Sequence, residues 1–341
     1  MIEIVMGGQY GSEGKGSVVS WLVEQNQYDL VIRTGGSQAG HTFCYKGETH
    51  KMRMIPCAWH TKSQLALSRQ AVVNEGVLMA EIEIVSKVLG ISPKDLPLFI
   101  HPSATLLTED NVETEKRLQL GLKLGSTLEG VGAARAWRIF REAPTVCASE
   151  YLHPWVRDYS KIVANPSSRI LIESTQGWGL SLFGDHYPFV TSADITPYSI
   201  LADAGIPFGL HSVKVFGVLR TFPIRVGGNS GELDRETTWA LLRDRFGDHI
   251  PNEYTTVTGR ERRVGYFEFL KVQKFISECH PDEVFLTFCD YPCPELLNIT
   301  SGVVTPQTLP PFLVDFRALI PHTKYLGIGI GKFLKFQNQE G

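Results

Sequence analysis

Gly7-Gly8-Gln9-Tyr10-Gly11-Ser12-Glu13-Gly14-Lys15-Gly16 stands between two apolar runs, Ile2-Glu3-Ile4-Val5-Met6 before it and Val18-Val19-Ser20-Trp21-Leu22-Val23 after it. The order reads as strand, glycine loop, helix. Five glycines and a lysine at such a junction let backbone N–H groups crowd around a polyphosphate, while the helix N-terminus and the ammonium add positive potential. The spacing is not that of a Walker A loop: five residues separate Gly8 from Gly14 where that loop has four, and Gly16 replaces its Ser or Thr.

Beyond the loop, β-type runs recur at Leu30–Arg33, Leu98–Ile100, Arg169–Ile172, Val213–Val218, Glu283–Phe288 and Lys324–Ile330. Segments with apolar positions at three- and four-residue steps fall at Leu78–Val88, Glu109–Leu122, Arg235–Arg245 and Phe267–Glu278, and read as helices. The alternation predicts an α/β fold with a mostly parallel central sheet flanked by helices. Ligands of such sheets sit beyond the carboxyl ends of the strands, so the loops after Met6, Arg33, Ile172, Val218 and Phe288 are expected to converge on the site. No repeat or linker divides the chain, and residues 1–341 read as one domain with long functional loops.

A formal charge of −3 gives no electrostatic reason to expect nucleic-acid backbone or an anionic membrane as a partner. The six cysteines are dispersed without zinc-site spacing and read as reduced, structural thiols. The chain opens directly into a strand pattern, and no apolar run approaches the roughly 18 residues of a membrane span. Small-molecule chemistry in the cytoplasm is the expectation.

Four further motifs carry chemistry. Gly35-Gly36-Ser37-Gln38-Ala39-Gly40-His41-Thr42 follows a strand, and its glycines permit close backbone approach while His41 is the natural proton donor or transition-state stabiliser. Leu124-Gly125-Ser126-Thr127, followed by Gly130-Val131-Gly132, offers hydroxyls and N–H groups that suit a monophosphate, although a polar turn into a basic helix face is the plainer reading. Glu173-Ser174-Thr175-Gln176-Gly177 closes a strand, and Tyr187-Pro188-Phe189-Val190-Thr191-Ser192 follows. Thr255-Thr256-Val257-Thr258-Gly259-Arg260-Glu261-Arg262 presents forked guanidinium groups that suit a dicarboxylic amino acid.

Together these motifs resemble the adenylosuccinate synthetase family. There the corresponding runs read Gly-x-Gln-Trp-Gly-Asp-Glu-Gly-Lys-Gly, Gly-Gly-x-Asn-Ala-Gly-His-Thr, Ile-Gly-Thr-Thr-Gly-Arg-Gly-Ile-Gly-Pro, Glu-Gly-Ala-Gln-Gly, Tyr-Pro-Tyr-Val-Thr-Ser and Thr-Thr-Gly-Arg-Arg-Arg-Arg. The resemblance implies catalytic roles for Ser12, Lys15, His41 and Gln176. It implies a nucleoside triphosphate on Ser12, Glu13, Gly14, Lys15, Gly16, Gly40, His41, Thr42, Arg262, Asp290 and Gly329. A purine monophosphate would meet Ser12, Gln38, Ser126, Thr127, Arg141, Gln176, Thr191 and Arg260, and aspartate would meet Thr256, Val257, Thr258, Gly259, Arg260 and Arg262. Mg²⁺ would lie at Ser12 and Gly40, and Arg141 would reach a neighbouring subunit's nucleotide site, which implies a homodimer.

Three positions depart from the family pattern: Ser12 replaces the catalytic Asp, Glu261 interrupts the arginine run, and Phe288 replaces a Lys near the base-reading Asp290. In the family a triphosphate phosphorylates the purine 6-oxygen after N1 loses its proton to the Asp, and the amine of aspartate then displaces that phosphate. A carboxylate beside N1 also lies near purine C2. Serine is smaller, neutral and able both to donate and to accept, so it makes room for the 2-amino group of guanine. The sequence thus resembles the phage branch of the family, in which dGMP, L-aspartate and a nucleoside triphosphate yield a 2-aminoadenine precursor. Phe288 favours ATP or dATP over GTP as donor, and a host cytoplasm follows if the chain is phage-encoded. The N1 proton then goes to Glu13, to a water held by Ser12, or to the γ-phosphate. Ordinary synthesis from IMP and a nucleotide-binding pseudoenzyme are the alternatives.

Overall fold

The computed structural model describes residues 1–255, 259–299, 302–305 and 309–336. Thr256, Val257 and Thr258 of the expected aspartate loop lie outside the described residues.

Ten strands form one sheet: β1 (Ile2–Gly7), β2 (Leu30–Arg33), β3 (Gln64–Leu67), β4 (Leu98–Ile100), β5 (Ile170–Gly177), β6 (Val213–Arg220), β7 (Glu283–Thr287), β8 (Val303–Val304), β9 (Thr323–Gly327) and β10 (Phe333–Phe336). Their order is β8-β10-β9-β7-β6-β1-β5-β2-β3-β4, and every neighbouring pair is parallel except β9 with β10. The expected mostly parallel sheet is therefore present.

The continuous apolar runs are explained by burial on both faces, since helices cover each side of a parallel sheet. Along β1 the side chains alternate between two cores: Ile2, Ile4 and Met6 join Ile32, Ile170 and Ile172 on one face, and Val5 joins Val31 and Leu171 on the other. β1 lies at the centre, paired with β5 through Ile2↔Ile170 and Ile4↔Ile172 and with β6 through Ile2↔Val213 and Ile4↔Val215. This places the glycine loop over the middle of the sheet, beyond its carboxyl edge.

Several expected elements differ in detail. Gln119 adopts a left-handed conformation with φ 57° and divides the expected Glu109–Leu122 helix into Glu109–Arg117 and Leu120–Leu124. Arg235–Arg245 does not form one helix. Glu236–Thr237 pairs instead with the strand Arg263–Gly265, and the helix Trp239–Phe246 starts where the Thr238 hydroxyl accepts the Leu241 N–H at 3.2 Å. His41 and Thr42 lie in a strand, not a loop, and open the hairpin His41–Tyr45 and Glu48–Met52. β5 likewise continues through Glu173 and Gln176 rather than ending at Ile172. Among the described residues no helix is long and apolar enough to cross a membrane.

Candidate active site

Gly14 caps the helix Lys15–Gln25 with φ 87°, and Gly11 and Ser12 before it have φ 89° and 56°. The loop closes over the side chain of Glu13, which is fully buried. Glu13 Oε1 accepts the N–H groups of Gln9 at 3.2 Å and Gly11 at 2.8 Å, and Oε2 accepts Lys15 Nζ at 2.6 Å. A Cβ at Gly7 would lie 2.5 Å from Oε2 and one at Gly177 2.5 Å from Oε1, so both glycines leave room for this carboxylate. Gly16 is equally constrained, since a Cβ there would meet His41 Cβ and the Thr42 carbonyl at 2.9 Å. That close packing of helix on hairpin accounts for glycine where a Walker loop has Ser or Thr.

A cleft of about 400 Å³ opens above the loop. Its walls bring together Ser12, Lys15, Gln38, Gly40, His41, Ser126, Thr127, Gln176, Thr191 and Arg262 of the expected site. Glu13, Gly14, Gly16 and Thr42 lie off its lining, with the Glu13 side chain tucked beneath the loop. Arg260 and Gly259 are exposed outside the cleft, and Arg141 is the exposed, left-handed cap of the helix Val131–Phe140. Asp290 and Gly329 are apart from the cleft but together, with the Gly329 N–H donating to Asp290 Oδ1 at 3.0 Å.

His41 is held from behind. Its Nδ1 lies 2.5 Å from Glu173 Oε1, which also accepts Arg33 Nη1 at 2.5 Å, and Glu173 Oε2 accepts the Cys57 N–H at 2.7 Å. Burial alone would raise the Glu173 carboxyl, but the Arg33 charge and the His41 hydrogen bond outweigh it and hold it down to about 2. Burial and the Arg33 charge lower His41 to about 4. With Nδ1 engaged by a carboxylate, Nε2 is the ring nitrogen left for a ligand.

Arg33 and Glu173 were not among the expected site residues. Both are charged residues inside apolar strand runs, and the β2–β5 register places them opposite each other. A charge at the carboxyl end of a buried strand was the available signal. His41, Cys57 and Glu173 bring three potential ligand atoms within 4.8 Å, but the Arg33 guanidinium already matches the charge of Glu173. Ser12 and Gly40, the pair expected at Mg²⁺, both line the cleft with Lys15, and a hydroxyl and a backbone carbonyl are hard oxygen donors of the kind that ion takes.

In the Ser/Thr wall, the buried Glu115 carboxylate accepts the Gly132 N–H at 2.8 Å and the Ser126 hydroxyl at 3.3 Å, bracing the start of the helix Val131–Phe140. Arg225, also missed, is buried on the cleft wall with Nη1 on the Ser230 carbonyl at 2.5 Å and the Phe189 carbonyl at 3.2 Å. It ties the Tyr187–Ser192 segment to the opposite loop. Glu261 is exposed and bonded to Asn252 at 2.9 Å, so this departure does not face the cleft.

A family model described as adenylosuccinate synthetase matches residues 4–149 and 144–293. The N6-succino-2-amino-2'-deoxyadenylate synthase of Vibrio phage phiVC8 is 36% identical over 316 residues, covering 86% of this chain and 87% of that protein. The adenylosuccinate synthetase of Pyrococcus horikoshii is 35% identical over 273 residues, covering 78% and 77%. Among solved structures, the succinoaminodeoxyadenylate synthetase of cyanophage S-2L, bound to dGMP and dATP as an energy donor, superposes with a TM-score of 0.78 at 25% identity, covering 98% of this chain and 95% of that one. The fully ligated adenylosuccinate synthetase of Plasmodium falciparum shares the fold, with a TM-score of 0.82 at 19% identity and 99% coverage of both. The chain belongs to the adenylosuccinate synthetase family, and so to the ligases that form carbon–nitrogen bonds.

Proposed function

We propose that this chain condenses dGMP with L-aspartate, driven by hydrolysis of ATP or dATP to the diphosphate and phosphate, to give 2-amino-2'-deoxy-N6-succinyladenylate for 2-aminoadenine deoxynucleotide synthesis. The observation that carries this is Ser12, which lines the cleft with Lys15, His41 and Gln176 where the family pattern has a carboxylate. The likeness to the two phage enzymes supports it.

In this reading Lys15 and the loop N–H groups hold the triphosphate, and Ser126, Thr127 and Thr191 hold the monophosphate. Gln176 hydrogen-bonds the purine 6-substituent, and His41 Nε2 stands at the 6-oxygen as phosphate is transferred there. The arginine loop, residues 256–262, holds the aspartate whose amine displaces that phosphate. Mg²⁺, held by Ser12 and Gly40, would offset the charge of the phosphates. Glu13 is a poor acceptor for the N1 proton, because its carboxylate is buried and already takes three donors. A water held by Ser12 or the γ-phosphate itself takes that role. Residues 1–341 act as one domain, in a homodimer whose Arg141 completes the neighbour's site, in the cytoplasm of a phage host.

Phosphate release should be measured with aspartate, Mg²⁺ and ATP, dATP or GTP, comparing dGMP, GMP and IMP and weighing the product. Turnover selective for dGMP is expected. Turnover only with IMP returns the chain to ordinary adenylosuccinate synthesis, and nucleotide binding without phosphate release makes it a pseudoenzyme.

A further inference from the structure

The buried Arg220 links the glycine loop to a carboxylate, Glu253, that also holds the arginine loop. Glu253 accepts Arg220 Nη1 at 3.2 Å and also Arg220 Nη2, and it accepts Arg262 Nη1 at 2.9 Å and the Tyr291 hydroxyl at 3.2 Å. The same Arg220 Nη1 donates to the Ser12 carbonyl at 3.1 Å. The Arg220 guanidinium lies 4.0 Å from the centroid of the Phe288 ring. Arg220 is 0% exposed, and it touches both family departures on this side of the site.

Resting on the function proposed above, we infer that Arg220 is a positioning residue: it fixes the Ser12 peptide in its turn and, through Glu253, sets the angle at which Arg262 enters the cleft. The loop that grips phosphate and the loop that grips aspartate are thereby held as one unit. Ser12 has φ 56°, a left-handed conformation that a non-glycine residue keeps only when its surroundings enforce it. A guanidinium enforces it because its planar fork bonds a carboxylate and a carbonyl at once while one face stacks on a ring. An ammonium has no such fork. Glu253 lets two arginines approach each other by accepting from both, and the shared carboxylate fixes the geometry of one guanidinium relative to the other.

The test uses the full-length variants Arg220→Lys and Glu253→Gln, with thermal melting to verify folding and kcat and KM measured separately for dGMP and aspartate. Arg220→Lys is expected to fold, to lower kcat by about 10- to 100-fold, as misplacement of a reacting group does, and to raise the KM for aspartate about tenfold through the lost fork. The KM for dGMP should change less than that for aspartate, because the Ser/Thr wall that would hold its phosphate is untouched. Glu253→Gln should raise the aspartate KM in the same way, and the double variant should be no worse than the poorer single one, since both act through one shared interaction. A folded Arg220→Lys with an unchanged aspartate KM overturns the inference, as do effects that multiply in the double variant. If Arg220→Lys does not fold, Glu253→Gln decides alone, an unchanged aspartate KM being the overturning result. A wild-type protein inert towards dGMP fails the functional reading separately, and the same constants are then taken with IMP, or aspartate binding is measured by calorimetry with nucleotide present.

Discussion

Ser12 combines a small neutral side chain with a left-handed backbone on the cleft wall. Aspartate tolerates that conformation better than most residues, so Ser12→Asp should fold and restore a carboxylate beside N1 and C2 of the bound purine. We expect kcat/KM for dGMP to fall at least about tenfold and that for IMP to rise, the scale of one good hydrogen bond made or broken at a reacting base. Paired assays with the two nucleotides measure it, and an unchanged preference would remove Ser12 as the determinant. Lys15, His41 and Gln176 were legible because glycine-rich motifs advertise the residues inside them. Arg33, Glu173, Arg220 and Arg225 were harder to read. Each lies in or at the end of a strand and works through a partner distant in sequence, Glu173 140 positions from Arg33, Ser12 208 from Arg220 and Phe189 36 from Arg225, which local pattern does not encode.

At the scale of elements, buried strands were readable as apolar runs because both faces are covered, whereas β3 was missed because Gln64-Leu65-Ala66-Leu67 holds no β-branched or aromatic residue. β10, one place in from the edge strand β8, was also missed, and the hairpin opening at His41 was hidden by the glycines before it. Its outer part is pinned by an aromatic cluster in which His60 stacks on Phe43 at 5.4 Å and meets Tyr45 at 4.9 Å, its side chain only 3% exposed. Burial, with a smaller contribution from the His50 charge, pushes His60 down from 6.5 to about 4. The unfolded chain takes up this proton below pH 6.5 and the folded chain only near pH 4, so stability falls as pH drops through that window, the Glu24 carboxylate 3.3 Å from Nε2 moderating the loss. His60→Phe keeps the ring and should abolish that share of the loss in urea titrations at pH 7 and pH 4.5. The Glu13 brace gives a second expectation. A Cβ at Gly177 would lie 2.4 Å from the Gln9 carbonyl, so Gly177→Ala should destabilise by about 1–3 kcal/mol through overpacking and abolish turnover by displacing the loop. Melting and phosphate release together measure this.

For the whole molecule, the exposed end of the helix Val131–Phe140 leaves Ile139 75% and Phe140 68% exposed beside Arg141, the surface that the proposed homodimer would cover. If the proposed homodimer with its shared site forms, Arg141→Leu and Lys15→Ala should each be inactive alone yet recover turnover when mixed, because a hybrid dimer would contain one site with both residues intact. Failure of the mixture, with each variant folded, would make Arg141 irrelevant to a shared site. The position of β1 has another consequence. β1, at the centre of the sheet, is made well before its two neighbours, which begin at Ile170 and Val213. At a synthesis rate of about 5–20 residues per second, the ribosome needs roughly 10–40 s to supply those neighbours. During that interval β1 has no native strand partner, so we expect yield in the cell to fall when chaperones are depleted, whatever the final stability.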